Sequence, residues 1–302
     1  MSIFRYIVLA TIAVLAVPAT QAKARCPGGL PSIRPRFAEQ AIPIIPVTVN
    51  DSGPWDFVLD TAAEVTTVDP ALAEELHFKP EGTRTVIGAG FSAQAAYARA
   101  EWVRAGAHAI HRLLVFVQPL GQIQISDRRV RGILGQNFLE QYDLLIDYIH
   151  GLVCLDDSGK LRANISGEHI ALAAPENSEG ELPFTRPLIL PVTGISERPL
   201  RLQLDSGINA PLLFDAMWVN SLPLGGAVVS ARGTDSRSRD YAALPPRDIQ
   251  VGRHRLRQIS FFVSTHPNGE TPHTGIDGVL PAGLFGSFFV SARDGFAVLV
   301  PR

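Results

Sequence analysis

The chain reads as a series of short apolar or alternating runs separated by turn residues. Ile44 to Val49, Trp55 to Leu59, Leu113 to Val117 and Leu144 to Tyr148 are each five or six residues long. Runs of that length between turn residues predict strands. Pro70 to Leu76, PALAEEL, predicts one short helix with Asp69 as its N-cap. Gln136 to Gln141 predicts a second. The expected class is mainly β with short helices at the edges.

The pattern then repeats. Pro46-Val47-Thr48 is followed twelve residues after Thr48 by Asp60, and Pro191-Val192-Thr193 is followed twelve residues after Thr193 by Asp205. WDFVLDTAAEVTTV in the first half matches LRLQLDSGINAPLLF in the second, at an offset of 145 residues. Gly132-Ile133-Leu134-Gly135 meets Gly278-Val279-Leu280-Pro281 at an offset of 146, and GLVCLD at 151–156 echoes GFAVLV at 295–300. A near-constant offset predicts two homologous β-barrel lobes, 38–157 and 183–302, related by a pseudo-two-fold axis. The polar segment 158–182 between them reads as a linker.

Composition agrees with a turn-rich β protein: 46% of residues are hydrophobic, with 26 Gly and 23 Pro. The net charge is -2 and the Lys and Arg residues are dispersed. No basic stripe is present to neutralise a phosphate backbone, so nucleic acid is not expected as a partner. Arg5 precedes the apolar run YIVLATIAVLAV, which is followed by Pro18 and then Ala22-Lys23-Ala24. This predicts a signal peptide over 1–24, cut after Ala22 or Ala24. The expectation is an exported protein, periplasmic or secreted, with no stable membrane insertion after the cut. Cys26 and Cys154 are the only cysteines. They form either one disulfide in an oxidising compartment or two free thiols. The eight histidines are scattered and two cysteines make no zinc cluster, so neither a metal nor a cofactor is expected.

Asp followed by Ser or Thr and a small residue occurs four times. Asp51-Ser52-Gly53 and Asp157-Ser158-Gly159 have the composition of tight turns, in which Asp bonds local backbone and Gly takes positive φ. Asp60-Thr61-Ala62 and Asp205-Ser206-Gly207 differ, because each Asp ends an apolar strand. A carboxylate emerging from a buried strand is expensive without partners. Two of them at equivalent points of two lobes would meet across the axis and share one proton.

FVLDTAAEVTTVDPALAEEL together with RGILGQNFLEQYDLLIDY resembles the retropepsin-like and pepsin-like aspartic proteases, in their exported two-lobed bacterial form. The resemblance covers nearly all of the mature chain and implies acid-protease-type lobes. It also implies an endopeptidase whose Asp60 and Asp205 activate a water for attack on a peptide carbonyl. Thr61 and Ser206 would then cross-bond beneath the pair, with Ala62 and Gly207 beside them. Gly88, Gly90 and Phe91 lie where a flap tip belongs and would meet a peptide or protein substrate. Three positions depart from the family pattern. Ala62 replaces a glycine, at about 1 kcal/mol if positive φ is needed there. Pro281 replaces the glycine after the second apolar pair. Glu64 adds an acid that would raise the Asp60 pKa if it pointed inward.

Rival readings come from other classes. Gly88-x-Gly90-x-x-Ala93 after Thr85-Val86-Ile87 matches a dinucleotide-binding fingerprint. However, the next apolar run ends in Gln118-Pro119 rather than in an acidic residue. No Gly-x-Ser-x-Gly is present for a serine hydrolase. The remaining alternative is a catalytically inactive protease-like fold that binds peptides or a protein partner in the inter-lobe cleft. A monomer is expected.

Overall fold

A computed structural model describes residues 24–88, 91–120, 124–125, 128–174, 185–214, 218, 228–232, 238–265 and 275–302. The expected signal peptide and residues 175–182 of the expected linker lie outside these, apart from Ala24.

The apolar runs become strands that extend a few residues beyond their apolar centres. Ile42–Val49 and Ser52–Leu59 pair antiparallel through Asn50-Asp51, whose φ angles are 50° and 62°. Left-handed backbone at both positions is what a two-residue hairpin needs, and Asn and Asp tolerate it. Asp51 is therefore a turn residue, paired at the surface with Arg104 at 3.3 Å. In the second tripeptide Gly159 takes φ 77° and Asp157 is exposed. The carboxylate that organises this turn is its neighbour Asp156, which accepts from the Ser158 and Leu161 amides at 3.0 and 2.8 Å. Burial opposes ionisation of Asp156, but bonds from the Ser158 hydroxyl and these amides outweigh it and hold the carboxyl below its ordinary value.

Among the described residues, one sheet of eight strands is built from residues 36–134 and one of nine from residues 189–281. In the first, Gly132–Leu134 lies parallel to Ser52–Leu59, with Leu134 opposite Leu59, and antiparallel to Thr67–Val68. In the second, Gly278–Pro281 lies parallel to Leu200–Asp205, with Leu280 opposite Leu204, and antiparallel to Leu212–Leu213. Each candidate aspartate thus sits at the end of a strand flanked by a Gly-led apolar strand. A third sheet joins residues from both halves, with Leu145 opposite Phe289 and Leu144 opposite Val290. One apolar core runs through all of this, including Phe57, Leu134, Leu202, Leu280 and Phe288.

The short helix is Pro70–Glu75, where buried Asp69 accepts from the Leu72 amide at 2.6 Å and from Arg131 at 3.0 Å. The second is a single turn, Gln136–Leu139. Part of the segment expected as a linker is structured. Lys160–Ala163 is helical, and Ile170–Ala171 pairs with the last strand, because Leu161 and Ile170 bury their side chains. Cys26 and Cys154 form a disulfide, which ties the N-terminal arm to the third sheet beside Leu145, Leu161 and Phe289. Among the described residues, no helix is long and apolar enough to cross a membrane.

Candidate active site

Strand alternation sets which side chains reach the site. In Leu200–Asp205 the leucines at 200, 202 and 204 enter the core, which leaves Arg201, Gln203 and Asp205 on the opposite face. In Ser52–Leu59, Phe57 and Leu59 enter that core, and Val58 shares its face with Asp60. The two strand ends meet, which brings the Asp60 and Asp205 carboxyl groups close enough for each to shift the other's ionisation.

Beneath them Thr61 and Ser206, both fully buried, exchange bonds across the two halves. The Thr61 amide donates to Ser206 Oγ at 3.1 Å, and the Ser206 amide donates to Thr61 Oγ1 at 3.0 Å. Each hydroxyl passes its own proton on, Thr61 to the Leu204 carbonyl and Ser206 to the Leu59 carbonyl, both at 2.7 Å. All four polar groups are satisfied in the interior, where an orphan would cost about 1–3 kcal/mol.

The carboxyls are held unequally. Asp60 Oδ1 accepts from the Ala62 and Ala63 amides at 2.8 and 3.0 Å, whereas Asp205 Oδ1 accepts from the Gly207 amide alone, at 2.6 Å. Burial pushes the Asp60 carboxyl up, while the Ala62 and Ala63 amides and the neighbouring Asp205 pull it back. Burial pushes Asp205 much further up, the Asp60 charge adds to the rise, and the Gly207 amide opposes it.

Two doubts raised by the sequence are corrected here. Ala62 does not adopt left-handed backbone, so its methyl carries no penalty of that kind, and its amide still faces the carboxylate. Glu64 is exposed, and its charge is not among the causes of the Asp60 shift. The glycine whose lack of a side chain matters is Gly207. A Cβ built on it would lie 2.5 Å from Asp60 Oδ2. Pro281 ends its strand opposite Asp205 and opens a single 3-10 turn, Ala282–Leu284. At the corresponding point Gly135 opens the helical turn Gln136–Leu139, and its amide donates to Thr66 Oγ1 at 3.2 Å, a bond proline cannot make.

Gly88 and Phe91 form the last rung of the hairpin between Gly82–Gly88 and Phe91–Ala105. Gly90 lies outside the described residues. The glycine fingerprint here leads into a strand, not the helix that a dinucleotide site requires.

Three site residues escaped the sequence reading. Gln136 Nε2 donates to the Thr61 carbonyl at 2.8 Å, and Gln203 Nε2 donates to the Ala62 carbonyl at 3.4 Å. Tyr148 has a buried hydroxyl without a partner among the described residues. Burial pushes its ionisation up, and the nearby Asp205 charge adds to the rise. The signal for Gln203 was present in Leu-Arg-Leu-Gln-Leu-Asp, where strand alternation places it on the Asp205 face.

Residues 45–138 match a family model described as aspartyl protease. The matched stretch contains Asp60-Thr61-Ala62 and Ile133-Leu134-Gly135, and ends before the second half. Among solved structures, a retropepsin-like aspartic protease from Rickettsia conorii is 21% identical over 41% of this chain and 86% of its own, with a TM-score of 0.30. No curated protein matches the chain.

Proposed function

We propose that the protein is an aspartic endopeptidase in which Asp60 and Asp205 form the catalytic pair. The observation that carries this reading is the reciprocal exchange of Thr61 and Ser206 bonds, which brings the two strand-end carboxyls together above it. Two adjacent buried carboxyls do not both ionise, so one proton is shared. Two amides on Asp60 against one on Asp205 favour Asp60 as the anion and Asp205 as the acid. A water between them loses a proton to Asp60 as it attacks the peptide carbonyl, while Asp205 donates to the carbonyl oxygen. On this reading Ala62 and Gly207 supply amides, and the hairpin tip at Gly88 to Phe91 covers a peptide or protein substrate.

The same proposal extends to the whole chain. Residues 38–157 and 183–302 are taken as duplicated lobes about a pseudo-two-fold axis, a view supported by the matching parallel strand pairs at 57–59 with 132–134 and 202–204 with 278–280. Export is proposed from the N-terminal apolar run, and the Cys26–Cys154 bond supports an oxidising compartment.

Digestion of a diverse peptide mixture by the mature protein, from pH 3 to 8, tests the activity. Cleavage is expected for the native protein, and none for Asp60→Asn or Asp205→Asn. Peptide binding without cleavage would instead identify an inactive peptide-binding fold.

A further inference from the structure

The unequal holding of the two carboxyls has a source one layer further out. The peptide unit whose N–H comes from Ala62 carries the Thr61 carbonyl, and that carbonyl accepts from Gln136 Nε2 at 2.8 Å. The next unit, whose N–H comes from Ala63, carries the Ala62 carbonyl, which accepts from Gln203 Nε2 at 3.4 Å. Each glutamine therefore feeds, through one peptide unit, into one of the two bonds received by Asp60 Oδ1. A hydrogen bond on a peptide oxygen withdraws charge from the unit and makes its N–H a better donor, an effect of about 10–30% per bond.

Both glutamines are buried, and they come from different halves of the molecule. Gln136 opens the helical turn after Gly135, and Gln203 lies two residues before Asp205 on its strand. Neither has a polar counterpart on the other side. At the repeat offset, Gln203 corresponds to Val58 and Gln136 to Ala282, so the Asp205 loop has apolar residues where the Asp60 loop has amide donors.

We propose that Gln136 and Gln203 are positioning residues that polarise the two peptide units holding Asp60, and that this one-sided support makes Asp60, not Asp205, the ionised member of the pair. The proposal rests on the catalytic reading above. It assigns the two glutamines a role in choosing which carboxyl acts as base. The ionisable groups around Asp60 are Asp205, beside it, and beyond Asp205 the Tyr148 phenol, with Arg302 over its ring. Glu64 is exposed. Neither Tyr148 nor Arg302 is among the groups that shift Asp60, and Arg302 acts on the Tyr148 phenol instead.

Gln136→Met and Gln203→Met keep the side-chain length and remove the donor. Loss of a donor chain destabilises the Asp60 anion, so its titration moves to higher pH and the acid limb of the kcat/KM profile moves up with it. Gln136→Met is expected to lower kcat about two-fold, the factor carried by 10–30% of a hydrogen bond to a charged group, with KM nearly unchanged. Gln203→Met, which loses the longer bond, is expected to do less. Amide NMR supplies a readout that needs no activity. Gln136→Met should shift the Ala62 N–H proton upfield and Gln203→Met the Ala63 N–H proton, each leaving the other amide nearly in place. Unchanged Ala62 and Ala63 amides, or a pH profile displaced equally by both variants and by an unrelated core substitution of equal destabilisation, would overturn the proposal. If Gln136→Met does not fold, Gln203→Met carries the same test. Absence of cleavage by the native protein would overturn the catalytic reading and leave the amide test intact.

Discussion

At the scale of single residues, the site distinguishes two positions that look equivalent in the repeat. Ala62 carries a methyl without left-handed backbone, whereas Gly207 has no room for one, with Asp60 Oδ2 2.5 Å from where a Cβ would be. Ala62→Gly is therefore expected to leave peptide cleavage within a few-fold of the native rate. Gly207→Ala must displace the Asp60 carboxyl, and misplacement of a reacting group by about 1 Å costs roughly 100-fold in rate. Steady-state kinetics on one peptide substrate separates the two. That the two strand ends meet was legible, because each aspartate ends an apolar strand and has a partner 145 residues away. That Ala62 avoids left-handed backbone was not legible, since a sequence gives residue types and not the φ angles they adopt. The exposure of Glu64 was hidden for the same reason.

At the scale of elements, local signals translated well where one short-range interaction decides the outcome. The Asp69 cap is of this kind, because a side-chain oxygen three residues before an amide needs no distant partner. Its second task was invisible: Arg131, 62 residues away, brings its guanidinium to the same carboxylate. Asp69→Ala removes the cap and one of the two carboxylates paired with Arg131, the other being Glu75 at 3.3 Å, and is expected to destabilise the fold by about 1–2 kcal/mol, read as a lower urea midpoint. Asp156 was overlooked because Asp157-Ser158-Gly159 drew attention one residue downstream. The turn is held by the carboxylate that precedes the tripeptide, and only the geometry reveals that. Long-range donors such as Gln136 are the hardest to read, since nothing in Gly-Gln-Asn names the Thr61 carbonyl as a target.

At the scale of the whole molecule, the repeat pointed to two similar halves but not to how they join. The third sheet interleaves Asp143–Asp147 with Phe285–Ser291, so the halves share a core as well as a site. The disulfide fastens the N-terminal arm to this shared sheet across 128 residues of sequence. Its removal by Cys26→Ala with Cys154→Ala is expected to cost about 2–4 kcal/mol, seen as a lower melting temperature. The Asp60 and Asp205 pair works in the opposite sense. Burial raises both aspartates above their unfolded values, so the folded state binds more protons than the unfolded one. Stability then falls as pH rises from the unfolded carboxyl range through the raised folded values. Asp205→Asn removes that penalty, and is expected to raise the melting temperature at pH 7 by a few degrees, about 2–4 °C for each kcal/mol. At pH 3, where the native pair is protonated, the difference should shrink.

The central claim is that Asp60 and Asp205 together cleave peptide bonds. The most direct measurement is mass-spectrometric analysis of a peptide mixture incubated with the mature protein from pH 3 to 8, beside Asp60→Asn and Asp205→Asn. New termini produced by the native protein, with a bell-shaped pH dependence, and lost in both variants are the result this account predicts. Cleavage that survives either substitution, or no cleavage at any pH, would contradict it.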